Sequence, residues 1–517
     1  MKLIHKITLL VALCCFVPAF GLFVVGSLVS CGGEQSQKQD STAAVLADWT
    51  TQEDNWYSVT IDGAKAGWAH EVIEVESETQ NIKSTKVQNM TLSRGGMEIS
   101  ISVSSSFVET QDGKPISVNS MQEAMGMVQE TIWEFGEEEL KMTTVAGGKP
   151  IVKTVPLPTE KWLTPQSVKR MFIQKMADGT NAITYQTMAP ELGPTVITVV
   201  MTKKGEKKQD ILGTEKMVVA WETVNDRMPI VGTEFYTTAG LSVGSAMNAG
   251  FGAIENTIMS KYDALSPVNE VPELMVSQFV EPNKPIPSGA SKLTMRIKTK
   301  DGTKVELPSV GMQKATSNED GTATLVVDLE APIRATKEEL VDANYLGASA
   351  ICDGTDDAVI AIATDALTAL PEDASDNDKA LALRSKVHSY IDEKNMSTAF
   401  ASASQTARSK EGDCTEHAVL LCGILRAAEI PSRGVMGMVY VRSFGGPNGV
   451  FGWHMWSQAL IDGKWVDLDA TLSTPYSVGH IATVTTSLSD ENFGAEMGGM
   501  IATIGNLEVE IVDEQEE

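Results

Sequence analysis

Between residues 50 and 262 apolar side chains tend to recur at every second position, a period that suits an extended chain with one buried and one wet face. Met97, Ile99, Ile101, Val103, Ser105 and Phe107 alternate with mostly polar residues over eleven positions. Similar runs occupy 57–61, 68–76, 86–92, 182–188, 196–202, 216–224 and 231–237, and Asp62-Gly63 and Asp112-Gly113 mark turns. Such alternation belongs to antiparallel sheets, whose second face meets water. One helix interrupts them: Thr164 is placed to cap it, Pro165 suits its first position, and Val168, Met171, Phe172 and Met176 form its stripe. The expected fold of residues 49–265 is therefore a β-rich domain, a curved antiparallel sheet or half-barrel beside a helix. A packed core is its expected filling, although a sheet of that shape also suits a lipid or peptide.

Ser266-Pro267 through Pro272 reads as a linker. Residues 273–345 carry short strands, Leu293–Ile297 and Thr324–Leu329, with a turn at Asn318-Glu319-Asp320-Gly321, and predict a small β-sandwich. Residues 350–509 then mix helices with strands. Helices are predicted over 356–370, 376–393 and 413–429, the second with Leu383, Val387, Tyr390 and Ile391 on one face.

The chemistry concentrates in this last region. In Gly412-Asp413-Cys414-Thr415-Glu416-His417-Ala418, Asp413 is a reasonable N-cap, and Ala418, Leu421, Cys422 and Leu425 follow as one apolar stripe. Cys414 then falls in the first turn, an exposed and electropositive place where unpaired backbone N–H groups favour a thiolate and suit an oxyanion. Cys422, in mid-helix on the stripe, reads as structural. The two lie about 12 Å apart along the helix, too far to bridge. Downstream, Asp462-Gly463 between two strand patterns signals a two-residue hairpin. The turn pairs Ile461 with Lys464, sets Gln458 opposite Asp467, and makes Asp469 the diagonal neighbour of His454, with Cα atoms roughly 7–8 Å apart. A carboxylate at that distance reaches an imidazole, and Trp456 beside both shields the bond from water. The three groups suit a thiol nucleophile, a general acid/base and an orienter.

These segments resemble the transglutaminase-like superfamily, which shares the papain-type Cys-His-Asp arrangement. The resemblance rests on the Gly412–Ala418 motif with the following Leu-Arg-Ala-Ala-Glu-Ile-Pro-Ser-Arg-Gly-Val, on His454-Met455-Trp456, and on Trp465-Val466-Asp467-Leu468-Asp469-Ala470-Thr471. It covers roughly residues 355–475 and implies an α+β papain-like core. It also implies Cys414 as nucleophile, His454 as acid/base, Asp469 as orienter, and acyl transfer through a thioester to water or an amine. Met455 departs from the Ala or Val usual in the family and should point to the opposite face. No acidic cluster matches the family's calcium sites. Asp353, Asp356 and Asp357 read as a solvated loop and helix cap, and neither a cofactor nor a metal is expected. His388 falls near the apolar face of its helix and reads as structural, as do His70 and His480, which lack a carboxylate–cysteine context, and His417 with Cys414 makes a poor metal pair. The upstream β-rich region loosely resembles periplasmic lipoprotein-carrier half-barrels.

The N-terminus reads as an export signal. Lys2 and Lys6 precede an almost wholly apolar run over 7–30 that ends in Leu28-Val29-Ser30-Cys31-Gly32, which resembles the bacterial lipobox. Residues 1–30 are then a signal peptide, Cys31 the lipid attachment site, and 31–48 a polar tether. The run is also long enough for a transmembrane anchor. Either way the body is expected outside the cytoplasmic membrane. Processing leaves Cys352, Cys414 and Cys422, an odd count that fits one unpaired reactive thiol, and a Cys352–Cys422 bridge remains possible. A formal charge of −27 argues against nucleic acid as a partner. Residues 510–517 read as an acidic tail. The expected partners are a protein or peptide substrate and, through Cys31, a membrane. The competing readings are a binding or scaffolding lipoprotein with an inactive core and a peptidase of cell-wall stem peptides.

Overall fold

The structure, a computed structural model, describes residues 48–512 except 95–96, 125–126, 147–149, 228–229, 249–251, 274–278, 301, 394–400, 444–445 and 491–504. Cys31, the expected signal peptide and the tether lie outside the described residues. Two runs of hairpins fill the first half. The first comprises β1 (Trp49–Ile61), β2 (Ala64–Glu76), β3 (Ile82–Arg94), β4 (Met97–Glu109), β5 (Pro115–Ala124), β6 (Met127–Phe135), β7 (Glu139–Ala146) and β8 (Ile151–Pro156). The second comprises β9 (Ala182–Met188), β10 (Val196–Ile211), β11 (Thr214–Asn225), β12 (Gly232–Thr237), β13 (Ser242–Asn248) and β14 (Ala253–Met259). Pairing of β1 with β14 joins them into one antiparallel sheet of 14 strands, ordered from β8 through β1 and β14 to β9.

That order puts β9 and β4 far apart, yet Met188 of β9 packs with Phe107 of β4 and with Val118, Trp133, Leu140 and Met142. Only a strongly curled sheet brings those residues together, so the curved sheet predicted from the alternation is the one that forms. Helix α1 (Pro165–Ala177) lies against it, burying Val168 and Phe172, with the Phe172 ring 4.6 Å from that of Tyr236 and 5.3 Å from that of Trp221. Thr164 occupies the N-cap position but its side chain makes no capping bond to the helix. The cap comes from β4 instead: buried Glu109 accepts the Gln166 N–H at 3.1 Å and the Thr164 hydroxyl at 2.7 Å. A carboxylate at a helix N-terminus serves better than a hydroxyl, because it also meets the positive end of the dipole.

After the one-turn helix α2 (Lys261–Ala264), a four-stranded antiparallel sheet forms from β15 (Lys292–Thr299), β16 (Gln313–Ser317), β17 (Ala323–Asp328) and β22 (Leu507–Val512), in the order β16-β17-β15-β22. Glu510, Ile511 and Val512, at the start of the expected acidic tail, are thus strand residues paired with β15. The intervening chain builds the site. Helices α3 (Asp357–Leu367), α4 (Asp376–Tyr390), α5 (Ala403–Ser409) and α6 (Cys414–Ala427) pack on a sheet ordered β20-β19-β18-β21. Its strands are β18 (Ser432–Val441), β19 (Val450–Ile461), β20 (Lys464–Leu468) and β21 (His480–Thr486). Helix α6 is not the one-striped helix that its sequence suggests, since every residue from Cys414 to Arg426 is buried. It runs through the centre, with α3, α4 and α5 around it and β18 and β19 beneath. Asp356 caps α3 through the Ala358 N–H and pairs with Arg408.

Candidate active site

The thiol position is fixed by a reciprocal cap. Asp413 accepts the Thr415 N–H at 2.9 Å, and its own N–H donates to Glu416 Oε2 at 2.9 Å, which closes a capping box around the first turn of α6. Glu416 Oε1 takes the Ala401 N–H at 3.0 Å. Burial, reinforced by the Asp413 carboxylate, pushes Glu416 up to about 8. The aspartate-to-glutamate spacing of three carries this box in the sequence, where only its first member is apparent. Cys414 opens the helix as predicted, but it is 0% exposed rather than open to solvent. Its Sγ accepts the Met455 N–H at 3.4 Å, which puts the sulfur against the backbone of the residue after His454. Cys352 and Cys422, the other cysteines described, are free, so no bridge joins them.

The histidine and aspartate follow from the hairpin. Asp462 and Gly463 both adopt left-handed backbone, φ 51° and 72°, the geometry of the tight turn that their types favour. The register then runs Ile461↔Lys464, Ala459↔Val466, Gln458↔Asp467 and Ser457↔Leu468. One residue beyond the end of β20, Asp469 meets His454: Nε2 lies 2.7 Å from Oδ2, with both side chains fully buried. A carboxylate only accepts, so Nε2 carries the proton, and Nδ1 is the ring atom left to act as base. Nδ1 is buried and has no hydrogen-bond partner among the described residues. The nitrogen able to take a proton is therefore on the histidine whose neighbour holds the Cys414 sulfur. Trp456 flanks the bond as expected, its ring 6.2 Å from that of His454 and inclined by 20°.

Asp469 is more heavily bonded than its sequence context suggests. Its Oδ1 accepts the Thr471 N–H at 2.7 Å and the Leu472 N–H at 3.2 Å, while Oδ2 also takes His480 Nε2 at 3.1 Å. Burial alone would raise its pKa, but the adjacent His454 and the two imidazole hydrogen bonds hold the carboxyl well below the usual range. His480 thus leaves the structural class in which its sequence places it. It arrives on β21, which lies across β18, and no local pattern links it to Asp469. A register shift between Met436 and Gly437 lets β21 come close. A Cβ at Gly437 would stand 1.9 Å from the Ile481 carbonyl oxygen. From the other side α4 grips the same loop: Arg384 donates to the carbonyls of Asp469 and Leu472, and His388 Nδ1 lies 2.8 Å from the Ala470 carbonyl.

The remaining polar residues hold the frame. Asp467 accepts the Trp456 indole at 2.8 Å, Gln458 Nε2 at 2.7 Å and the Met312 N–H at 3.0 Å, and so ties the hairpin to the loop before β16. Gln313 brackets Ala482 on β21 through both its N–H and its carbonyl. His417 Nδ1 lies 2.5 Å from the Asp413 carbonyl, within the helix turn. His70, on β2 of the large sheet, does have a carboxylate neighbour, Asp54 at 2.6 Å, and stacks on Trp56. His454, Asp469 and His480 offer ligand atoms within 4.8 Å of one another, the spacing of a metal cluster. Their hydrogen bonds already satisfy the shared oxygen without an ion.

Comparison with known proteins bears on this region first. Residues 363–470 match the transglutaminase-like superfamily. Three solved structures are similar at low score. A putative cysteine protease from Cytophaga hutchinsonii is 18% identical, covering 44% of this chain and 87% of its own, at a TM-score of 0.27. The periplasmic domain of TgpA from Pseudomonas aeruginosa, bound to ethylmercury, is 13% identical, covering 35% and 91%, at 0.23. A β-barrel-like DUF1849 protein from Brucella abortus is 12% identical, covering 42% and 97%, at 0.32. No curated protein matches the chain.

Proposed function

We propose that this chain, which carries a transglutaminase-like segment at residues 363–470, is an extracytoplasmic cysteine enzyme that cleaves or transfers amides of proteins or peptides. The observation that carries the reading is the polarised His454: Asp469 on Nε2, no partner on Nδ1 among the described residues, and the Cys414 sulfur on the next residue's N–H. His454 Nδ1 takes the Cys414 proton and the thiolate attacks the amide carbonyl. The resulting imidazolium protonates the departing amine, leaving a thioester. His454 then removes a proton from water, whose oxygen displaces the sulfur. Hydrolysis is favoured over cross-linking, since water is the acceptor unless an amine site excludes it. Lipidation of Cys31 and tethering to a membrane rest on the lipobox-like sequence.

The test is alkylation of Cys414 by iodoacetamide, followed by mass spectrometry across pH, in wild type and His454→Ala. A thiolate–imidazolium pair labels rapidly well below the ordinary thiol value of about 8.5 and loses that behaviour in the variant. An ordinary thiol profile in both proteins would overturn the enzymatic reading and favour a binding lipoprotein. If labelling succeeds, Cys414→Ala should abolish hydrolysis of every amide that the wild type cleaves.

A further inference from the structure

We propose that the cavity between α1 and the large sheet binds a small organic ammonium ion, an amine head on an apolar body of roughly benzene size. The cavity measures about 150 Å³, and Phe172, Leu192, Ile197, Val199 and Met201 supply apolar wall. A cavity of that volume takes a ring or a six-carbon chain, not a long lipid. Where it meets a smaller recess, Glu71, Lys86, Glu234 and Ser242 line both spaces. Glu71 is paired with Lys86 and accepts the Tyr57 hydroxyl at 3.1 Å. Glu234, on β12, faces the cavity with no hydrogen bond or ion pair among the described residues. Two buried hydroxyls in the same wall, Thr85 and Thr223, also lack partners.

Unsatisfied buried polar groups need an explanation, and a ligand that supplies the missing bonds provides one. The charge decides its class. With Glu71 neutralised by Lys86, the spare group is a carboxyl, so an anionic head would meet repulsion and a cationic donor would meet its counter-ion. Tyr185 and Tyr236 add ring surface in the same wall, which also favours a cation. Burial, only partly offset by Lys86 and reinforced by Glu71, pushes Glu234 up to about 8. The titratable groups around it are Glu71, Lys86, Tyr57, Tyr185 and Tyr236, and burial raises all three tyrosines further from neutrality. Glu234 is thus protonated at pH 7, and an ammonium ion binds as that proton leaves.

Calorimetry of the full chain in phosphate, with hexylamine, hexanol and hexanoate as probes, tests this. Hexylamine should bind more tightly than either analogue, and its affinity should rise about tenfold per pH unit from pH 6 towards 8. Glu234→Gln should flatten that rise and lower amine affinity at least tenfold while leaving hexanol unchanged. Met201→Trp, which fills the cavity, should remove all binding and serves if the first variant misfolds. Absence of hexylamine binding, equal binding of hexanoate, or a pH-dependent affinity that survives in Glu234→Gln would overturn the proposal. The β-rich half would then hold only a void.

Discussion

At Asp469 a single carboxylate serves two imidazoles and two backbone N–H groups. Saturation of that kind fixes the rotamer and keeps the carboxylate ionised, so that His454 keeps its proton on Nε2. Removing one imidazole tests how much of the arrangement His480 supports. In His480→Gln the Asp469 carboxylate loses a buried donor, and kcat should fall about tenfold with little change in KM, the kinetic cost of one charge-assisted bond. Asp469→Asn should cost far more, roughly 10³–10⁴-fold, because an amide can hold the ring in the wrong tautomer. Steady-state kinetics on any cleaved amide separates the two. The His454–Asp469 contact was legible because a two-residue turn fixes every pairing behind it. His480 was not, because its approach depends on the neighbouring strand of another ladder, which local spacing does not encode.

At the scale of the element, glycine at 437 and the carboxylate at 109 decide how strands and helices come together. Gly437→Ala would drive a methyl group into the backbone of β21 and push His480 away from Asp469. Its expected effect is a lower melting temperature together with the activity loss of His480→Gln. Normal kinetics in a folded Gly437→Ala protein would count against that coupling. Glu109→Ala removes the cap of α1 and should destabilise the β-rich half by about 1–2 kcal/mol, read from denaturant unfolding. The alternation that reveals β1 to β4 weakens over β5 to β8 for a physical reason. Inward positions there hold small polar residues, Ser120 on β5 and Thr144 on β7, both buried. A rule that looks for apolar side chains passes over such strands, although their backbone pairing is complete.

Across the whole molecule, buried carboxyls set the response to pH. Glu234 and Glu416 both reach about 8, whereas an unfolded glutamate titrates near 4.3 or so. Between those values the native state holds protons that the unfolded chain has released, so stability falls as pH rises through that window. Asp469 acts in the opposite sense, and its contribution disappears as pH drops through the ordinary aspartate range. Thermal unfolding should therefore show a maximum on the acidic side of neutrality, and Glu416→Gln should flatten the fall towards pH 8. The small sheet carries a different consequence. Its strand β15 presents Arg296 and Lys298 at an edge that stays open until the whole transglutaminase-like region has been synthesised. Only then does β22 arrive, setting Glu510 opposite Arg296 and Glu508 opposite Lys298, the latter pair at 2.7 Å. Arg296 is already paired with Asp320, so Lys298 is the charge on that edge that matches the acidic strand and disfavours a second β15 by like-charge repulsion. Opposite charge across this ladder therefore favours closure of β15 on the chain's own last strand over a match with a second copy of itself.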